Sequence, residues 1–290
     1  MKYKSLSIFT SMTNPEKRND PWKEALDCYE SLADEVIVVG EDWPEEFSWE
    51  EIGNTFQSGF DKATSDWVIR MDIDYFFHEK DFKILRESLN KFDQFPVLAF
   101  PQYQFFLPNK YQIKTRLCLA FNKKLFPNIK LNGGGDLTLA TLNNQLLQPK
   151  LVPNINTPIF QYDSLFRTKK IISEDRARFA RAWGKYFGSY GDRGGPSTEE
   201  AYLAWKNMVI ERFPKHTFNM PIPKHPKFIK DRLLNINPDQ FGYNLFGLSE
   251  IIDQNRIYFY KGLKEKYINP FFLYKYKHIN TYKNLDKEGK

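Results

Sequence analysis

The sequence predicts an α/β protein: a mostly parallel sheet flanked by helices, with a helical C-terminal extension. Two observations carry this. Over the first hundred residues, short β-branched and apolar runs alternate with segments whose apolar residues recur at helical spacing. After residue 100 the alternation gives way to strands, and from about residue 169 long helical patterns take over. The division falls into a core, 1–168, and an extension, 169–290. With 290 residues and 41% hydrophobic side chains, the chain is large enough to bury a sizeable core.

The elements follow in order. "SLSIFTSM" reads as a strand, and "NPEKRNDP" as a loop bounded by Pro15 and Pro21. In "PWKEALDCYESLA", Trp22, Ala25, Leu26, Tyr29 and Leu32 fall on one helical face, and Pro21 suits the helix start. "EVIVVG" is a short buried strand. "SWEEIGNTFQSGFDKAT" opens with Ser48 as N-cap and Glu51 three residues on, the spacing of a capping box. "DWVIRM" is a third strand, "EKDFKILRESLNKF" a helix and "FPVLAFP" a fourth strand. "YQFFL", "IKTRLCLAF" and "PIFQYD" then read as strands without long helices between them. "KLNGGGDLTLATLN" is broken by three glycines. "KKIISEDRARFARAWGKYFG" and "STEEAYLAWKNMVIERF" are helical, and the proline-punctuated segment 214–226 reads as extended.

Composition narrows the class. A net charge of +6 suits an anionic ligand such as a phosphate, or an anionic surface. Residues 261–290 hold eight lysines against three acidic residues, interleaved with Phe271, Phe272, Tyr274, Tyr276 and Tyr282. Such a tail suits an anionic membrane surface or nucleic acid, or is a solvated end with a few rings packed on the core. Two cysteines make no disulfide framework and fit a reducing compartment. The N-terminal apolar stretch is too short for a secretory signal, and no apolar run approaches the ~20 residues of a spanning helix. The expectation is a cytoplasmic protein, soluble or peripherally membrane-associated.

The chemistry gathers in "DWVIRMDIDYFFHE", where an apolar strand ends in Asp72 and Asp74. A turn after the strand brings both carboxylates towards one site. Two hard oxygen ligands there suit Mg²⁺ or Mn²⁺, which can bridge a diphosphate and stabilise a departing phosphate. The plainer alternative is a strand-end turn. No phosphate-cradling glycine motif, zinc-protease pair or clustered zinc ligands occur in the sequence.

Several stretches together resemble glycosyltransferases of family 2 type, with the GT-A fold. "SLSIFTSMTNP" is similar to that family's opening strand and loop. "PWKEALDCYESLADEVIVVGED" resembles its first helix and second strand, and "FQSGFDKATSDWVIRMDID" the helix and strand that deliver the metal motif. The similarity is fullest over the first 90 residues and thinner to about 185. The resemblance implies a nucleotide-diphosphate-sugar donor, a saccharide or other hydroxyl acceptor, Mn²⁺ or Mg²⁺, and an inverting transfer.

The same resemblance implies roles. Asp74 would be the metal ligand, and Asp72 would touch the donor ribose or the metal. Thr10, Met12 and Asn14 would hold the nucleotide, and Glu41 or Asp42 would accept a hydrogen bond from the base. Gln57 and Lys62 precede the metal motif on its helix, Lys62 within reach of a phosphate or simply solvated. Gln161 stands where the family shows a histidine; its carbonyl oxygen is a weaker metal ligand, and His78 is the alternative. Asp136, behind three glycines, is the candidate base or else a turn residue, with Asp163 in reserve. Arg167, with Lys169 and Lys170, would neutralise the leaving diphosphate. Two rivals stand beside this reading. One is a non-catalytic binder of membrane surfaces or, less in keeping with the charge, nucleic acid. The other is a nucleotidyltransferase, which also uses paired carboxylates and Mg²⁺.

Overall fold

The computed structural model describes residues 3–41, 43–46, 48–132, 139–212 and 217–249. The alternating half forms as expected: β1 (Leu6–Ser11), α1 (Trp22–Glu30), β2 (Glu35–Val39), α2 (Trp49–Lys62), β3 (Trp67–Arg70). A short strand inside the acidic motif, β4 (Tyr75–Phe77), precedes α3 (Phe82–Lys91). Two long strands follow, β5 (Val97–Leu107) and β6 (Lys110–Asn122), then a small sheet of β7 (Lys130–Asn132), β8 (Leu139–Leu142) and β9 (Gln145–Leu146). The remainder is β10 (Ile159–Gln161), α4 (Lys169–Phe187), α5 (Thr198–Arg212), β11 (Thr217–Asn219), α6 (Lys230–Leu234) and α7 (Phe241–Asn244).

The main sheet runs β2-β1-β3-β6-β5-β10-β4, with β11 beside β6. It is mixed, and this corrects the expectation of a mostly parallel sheet. β1 runs parallel to β2 and β3, and β10 to β5. The pairs β3–β6, β5–β6, β10–β4 and β11–β6 are antiparallel. The reason is connection length. Helical crossovers deliver parallel neighbours only as far as β3. "FPVLAFP" and "YQFFL" are then one strand, and two residues, Pro108 and Asn109, separate it from β6. A link that short permits only a hairpin. Pro101 lies inside β5 at a register shift, the place in a ladder where a missing N–H is tolerated.

Alternation along the strands splits the core over two faces. Leu6 and Ile8 of β1 and Trp67 and Ile69 of β3 meet Cys28 and Tyr29 of α1 and Leu85 and Leu89 of α3. Phe9 and Val68 point the other way, onto Ile52, Phe56 and Phe60 of α2. The Ser48–Glu51 capping box is present at the start of α2. Residues beyond 168 join this body. β11 extends the sheet, and Ile172, Trp205 and Phe241 cover Phe106 and Leu107 at the end of β5.

The contact between α2 and β1 is close enough to require glycine. A Cβ on Gly59 would sit 2.3 Å from Cδ2 of the fully buried Phe9 ring. Gly59→Ala gains about 1 kcal/mol of helix propensity but forces overpacking that costs about 1–3 kcal/mol. We expect a lower urea midpoint; an equal or higher one would mean that the ring moves aside freely.

Candidate active site

The end of β3 builds the site. One further ladder bond, Met71 N–H to the Phe9 carbonyl at 2.9 Å, carries the strand past Arg70. The chain then reverses through a turn in which Tyr75 N–H donates to the Asp72 carbonyl at 2.8 Å. Tyr29 of α1 clamps this turn: its hydroxyl lies 2.6 Å from the Asp72 carbonyl oxygen and 2.9 Å from that of Tyr75. Burial, with Cys28, Asp74 and Asp72 adding to it, pushes the phenol well above its ordinary range, so it stays a donor. β4 leaves the turn antiparallel to β10, with Tyr75 opposite Gln161. Tyr162 N–H donates to the Asp74 carbonyl at 3.0 Å. That pairing brings Gln161 and Asp163 beside Asp74, across almost ninety residues of sequence.

A cleft of about 580 Å³ opens at the carboxyl ends of β1 and β3, where open α/β sheets bind ligands. Met12 and Asn14 line it from the loop after β1, and Asp72, Asp74, Asp163 and Arg167 from the turn and from the segment after β10. Asp72 is paired with Arg70, Nη2 to Oδ1 at 2.5 Å. Asp74 is half-buried. Desolvation, with Asp72, Asp163 and Asp20 adding to it and Arg167 opposing, holds its carboxyl well above the ordinary range. Asp163 is fixed on three sides. Gln104 donates to it at 3.0 Å, the Ser164 hydroxyl at 2.9 Å, and Arg176 pairs with it at 3.2 Å.

The rim opposite is an arginine–carboxylate cluster. Arg167 donates to Asp20 through Nε at 2.8 Å and pairs with Asp175 at 3.1 Å. Arg18 bridges the same two carboxylates, and Arg178 pairs with Asp175. Burial alone would raise Asp175, but Arg18, Arg167, Arg178 and Arg176 outweigh it and hold the carboxyl below its usual range. Sequence reasoning missed Arg18, Asp20, Asp175, Arg176 and Arg178. The legible signal was Asp175 and Arg178 at i, i+3 on a helix following Arg167. It also missed Arg70, a lone cation in the otherwise apolar run "WVIRM".

Other expected residues stand elsewhere. Thr10 is fully buried behind the cleft wall, and the exposed Glu41 lies beyond β2 and off the cleft. Gln57 is spent on structure, accepting from Leu131 N–H and donating to Asp61, both at 2.8 Å. Lys62 sits exposed in the last turn of α2, away from the cleft. Lys169 lies over the Tyr202 ring and Lys170 is exposed, so of that basic trio only Arg167 reaches the site. His78 caps the turn after β4 and pairs with Glu79 at 3.1 Å, outside the cleft lining. Asp42, Asp136 and the basic tail lie outside the described residues.

Among the described residues, no three His, Cys, Asp or Glu side chains gather as a metal cluster. A Mg²⁺- or Mn²⁺-type ion needs less when a ligand's phosphates complete its shell: one or two carboxylates suffice. The residues present fit that demand. Asp74 faces the cleft, and the Gln161 amide lies beside it, with Nε2 3.5 Å from Asp74 and a buried Oε1 that has no hydrogen-bond partner.

Neither a protein-family model nor a curated sequence matches this chain. Among solved structures it is similar to S. aureus TarS. With TarS 1-349 in complex with UDP-GlcNAc, identity is 12%, coverage is 90% of this chain and 91% of that one, and the TM-score is 0.36. With the UDP complex the values are 10%, 90%, 91% and 0.36. A further TarS structure matches at 11% identity over 85% of this chain, with a TM-score of 0.35, and there this chain spans about half the other's length, 55%. The likeness is distant, and the functional reading rests on the cleft itself. Among the described residues no helix is long and apolar enough to cross a membrane.

The two half-buried acids make opposite predictions. Asp74 holds its proton to higher pH in the folded state, so stability falls as pH rises from the ordinary carboxylate range through its folded value. Asp74→Asn should therefore raise the melting temperature at neutral pH, and the gain should shrink in acid; no gain at neutral pH would refute the buried-charge account. Asp175 contributes stability that is complete above the ordinary carboxylate range and lost as pH falls through its lowered value. Asp175→Asn should cost about 1–3 kcal/mol at neutral pH, read by denaturant titration, with the difference vanishing in strong acid.

Proposed function

We propose that this protein is a glycosyltransferase that moves a sugar from a nucleotide-diphosphate sugar to an acceptor hydroxyl, with inversion at the anomeric carbon. One observation carries the reading. A single cleft at the strand ends joins a carboxylate pair, a separate fixed carboxylate and a bank of arginines. These are the groups such a transfer needs: a grip on a diphosphate, a base, and countercharge for the leaving group.

In this reading the nucleotide lies against the loop after β1, at Met12 and Asn14. Asp74 and the Gln161 amide oxygen would hold Mn²⁺ or Mg²⁺, and Asp72 would meet the donor ribose or the same ion. Bound there, such an ion supplies Lewis-acid charge to the diphosphate. Asp163 takes the acceptor proton as the acceptor oxygen forms its bond to C1 and the bond from C1 to the phosphate oxygen breaks. The electron pair leaves with the diphosphate, whose charge Arg167, Arg176 and Arg178 offset. Gln104, Ser164 and Arg176 keep the Asp163 carboxylate aimed, which limits the reorganisation needed at the moment of transfer. The donor sugar, the acceptor and any membrane contact of the basic tail belong to the same proposal.

The test is a thermal-shift series with nucleoside diphosphates and their sugars, each with Mn²⁺, with Mg²⁺ and with chelator. A ligand that binds the native state raises its apparent stability by mass action. We expect a metal-dependent shift with one nucleotide; no shift with any of them sinks the reading. With that donor, Asp163→Asn should leave binding intact and lower turnover by about 10²–10⁴-fold, the usual contribution of a general base. Wild-type turnover in that variant would remove Asp163 from the role.

A further inference from the structure

We infer that Gln112 is a positioning residue for Asp163: it holds the Gln104 amide in the one orientation that offers an N–H to that carboxylate. The inference rests on the proposed function, in which Asp163 is the base. It adds to that reading a residue that lies outside the cleft lining.

The register of three strands lays the residues in a row. Pro108 and Asn109 join β5 and β6 into a hairpin that sets Gln104 opposite Gln112. Side chains opposite each other on an antiparallel pair share a face and meet. On the other side β10 runs parallel to β5 with Gln161 beside Gln104, so the chain leaving β10 carries Asp163 past the same place. Gln112 Nε2 donates to Gln104 Oε1 at 2.6 Å, and Gln104 Nε2 donates to Asp163 Oδ2 at 3.0 Å. The row therefore runs from β6 through β5 to the candidate base.

The chemistry of the ends fixes the direction of this row. An ionised carboxylate only accepts, and Asp163 already receives the Ser164 hydroxyl and Arg176 at Oδ1. An amide donates at one end and accepts at the other. With its nitrogen on Asp163, Gln104 turns its oxygen to Gln112, where only a donor satisfies it. Gln104 is 4% exposed, so solvent has little access to its amide. Reversed, the amide would set its oxygen against the carboxylate with no hydrogen between them, a contact that leaves both acceptors unsatisfied. Gln104 on Oδ2 and Ser164 on Oδ1 hold the two oxygens of Asp163, so the carboxylate plane cannot turn without losing one of them. Gln112 keeps the first of these contacts available, and through it the aim of the base.

The experiment measures nucleoside diphosphate released by the full chain with Mn²⁺ from UDP-glucose, UDP-N-acetylglucosamine, GDP-mannose and ADP-glucose, water serving as acceptor. Gln112→Glu replaces the donor by an acceptor of nearly the same shape, and Gln112→Lys keeps a donor. We expect Gln112→Glu to lower kcat about tenfold or more, within the about 10²–10⁴-fold that a general base contributes, with the KM for the sugar nucleotide unchanged. Gln112→Lys should stay close to wild type. A charge acting only through its field would do the reverse, since a negative neighbour makes a carboxylate the better proton acceptor and a positive one the poorer. In Asp163→Asn neither Gln112 substitution should cost anything further, because both act through the missing group. A second readout needs no sugar nucleotide. The Gln104 side-chain amide signals in the NMR spectrum, identified by their absence in Gln104→Glu, should move further in Gln112→Glu than in Gln112→Lys. Equal kcat losses in the two Gln112 variants, or Gln104 signals that Gln112→Glu leaves in place, overturn the inference while Asp163 stands as base. Wild-type turnover in Asp163→Asn removes the base and the inference with it, and so does a wild type that releases nothing from all four compounds. Should Gln112→Glu not fold, Gln112→Met removes the donor without adding charge: a lowered kcat there supports the inference and a wild-type kcat overturns it.

Discussion

One phenol hydroxyl holds the turn from which the cleft is built. Tyr29 reaches from α1 to the carbonyls of Asp72 and Tyr75 and closes the reversal between β3 and β4. Without that reversal β3 would simply continue, β4 would have no path back along β10, and Gln161 and Asp163 would lie far from Asp74. The Tyr29 side chain is fully buried, and in low-dielectric surroundings a hydrogen bond is electrostatically stronger than in water. A buried side chain of the first helix thus fixes where the carboxylates of the third strand point. This is a link from core packing to site chemistry through two short contacts.

Charge is handled differently on the two walls of the cleft. On the arginine wall, Asp20 and Asp175 are shared among Arg18, Arg167 and Arg178, and the guanidiniums hold the Asp175 carboxyl below its usual range. On the sheet wall, Asp74 is held among other acids and costs stability in its charged form. Strain of that sign concentrates where a ligand is meant to relieve it. The extension takes part in both, because α4 supplies Asp175, Arg176 and Arg178. Its aromatic face locks onto Trp49 at the start of α2, with Phe179 and Trp183 about as near as rings in a core, 5.5 and 5.4 Å. The helix that follows the last core strand is thereby fixed as a wall of the cleft.

Sequence and structure agree most closely where local signals were strong. The capping box at Ser48, the α1 stripe that includes Tyr29 and the long α4 could each be read from spacing alone. They diverge where the answer depends on partners distant in sequence. The alternation up to β3 invited a mostly parallel sheet, but the tight hairpin from β5 to β6 makes every ladder of β6 antiparallel. Lys62 and Gln57 sit on the right helix, yet one faces solvent and the other supports β7. Helix membership alone does not say which way a side chain points.

By itself the sequence determined the alternating first half, the acidic motif at a strand end and the basic helix start after β10, because periodicity and charge are local properties. Only the tertiary structure decided which acids share a site. Asp163 joins Asp74 through the antiparallel pairing of β4 with β10, and Asp20 joins Asp175 through two arginines from different segments. Arg70 belongs to both accounts. Its place two residues before Asp72 is written in the chain, but only the fold buries the guanidinium over the Phe56 ring and turns Asp72 to the cleft.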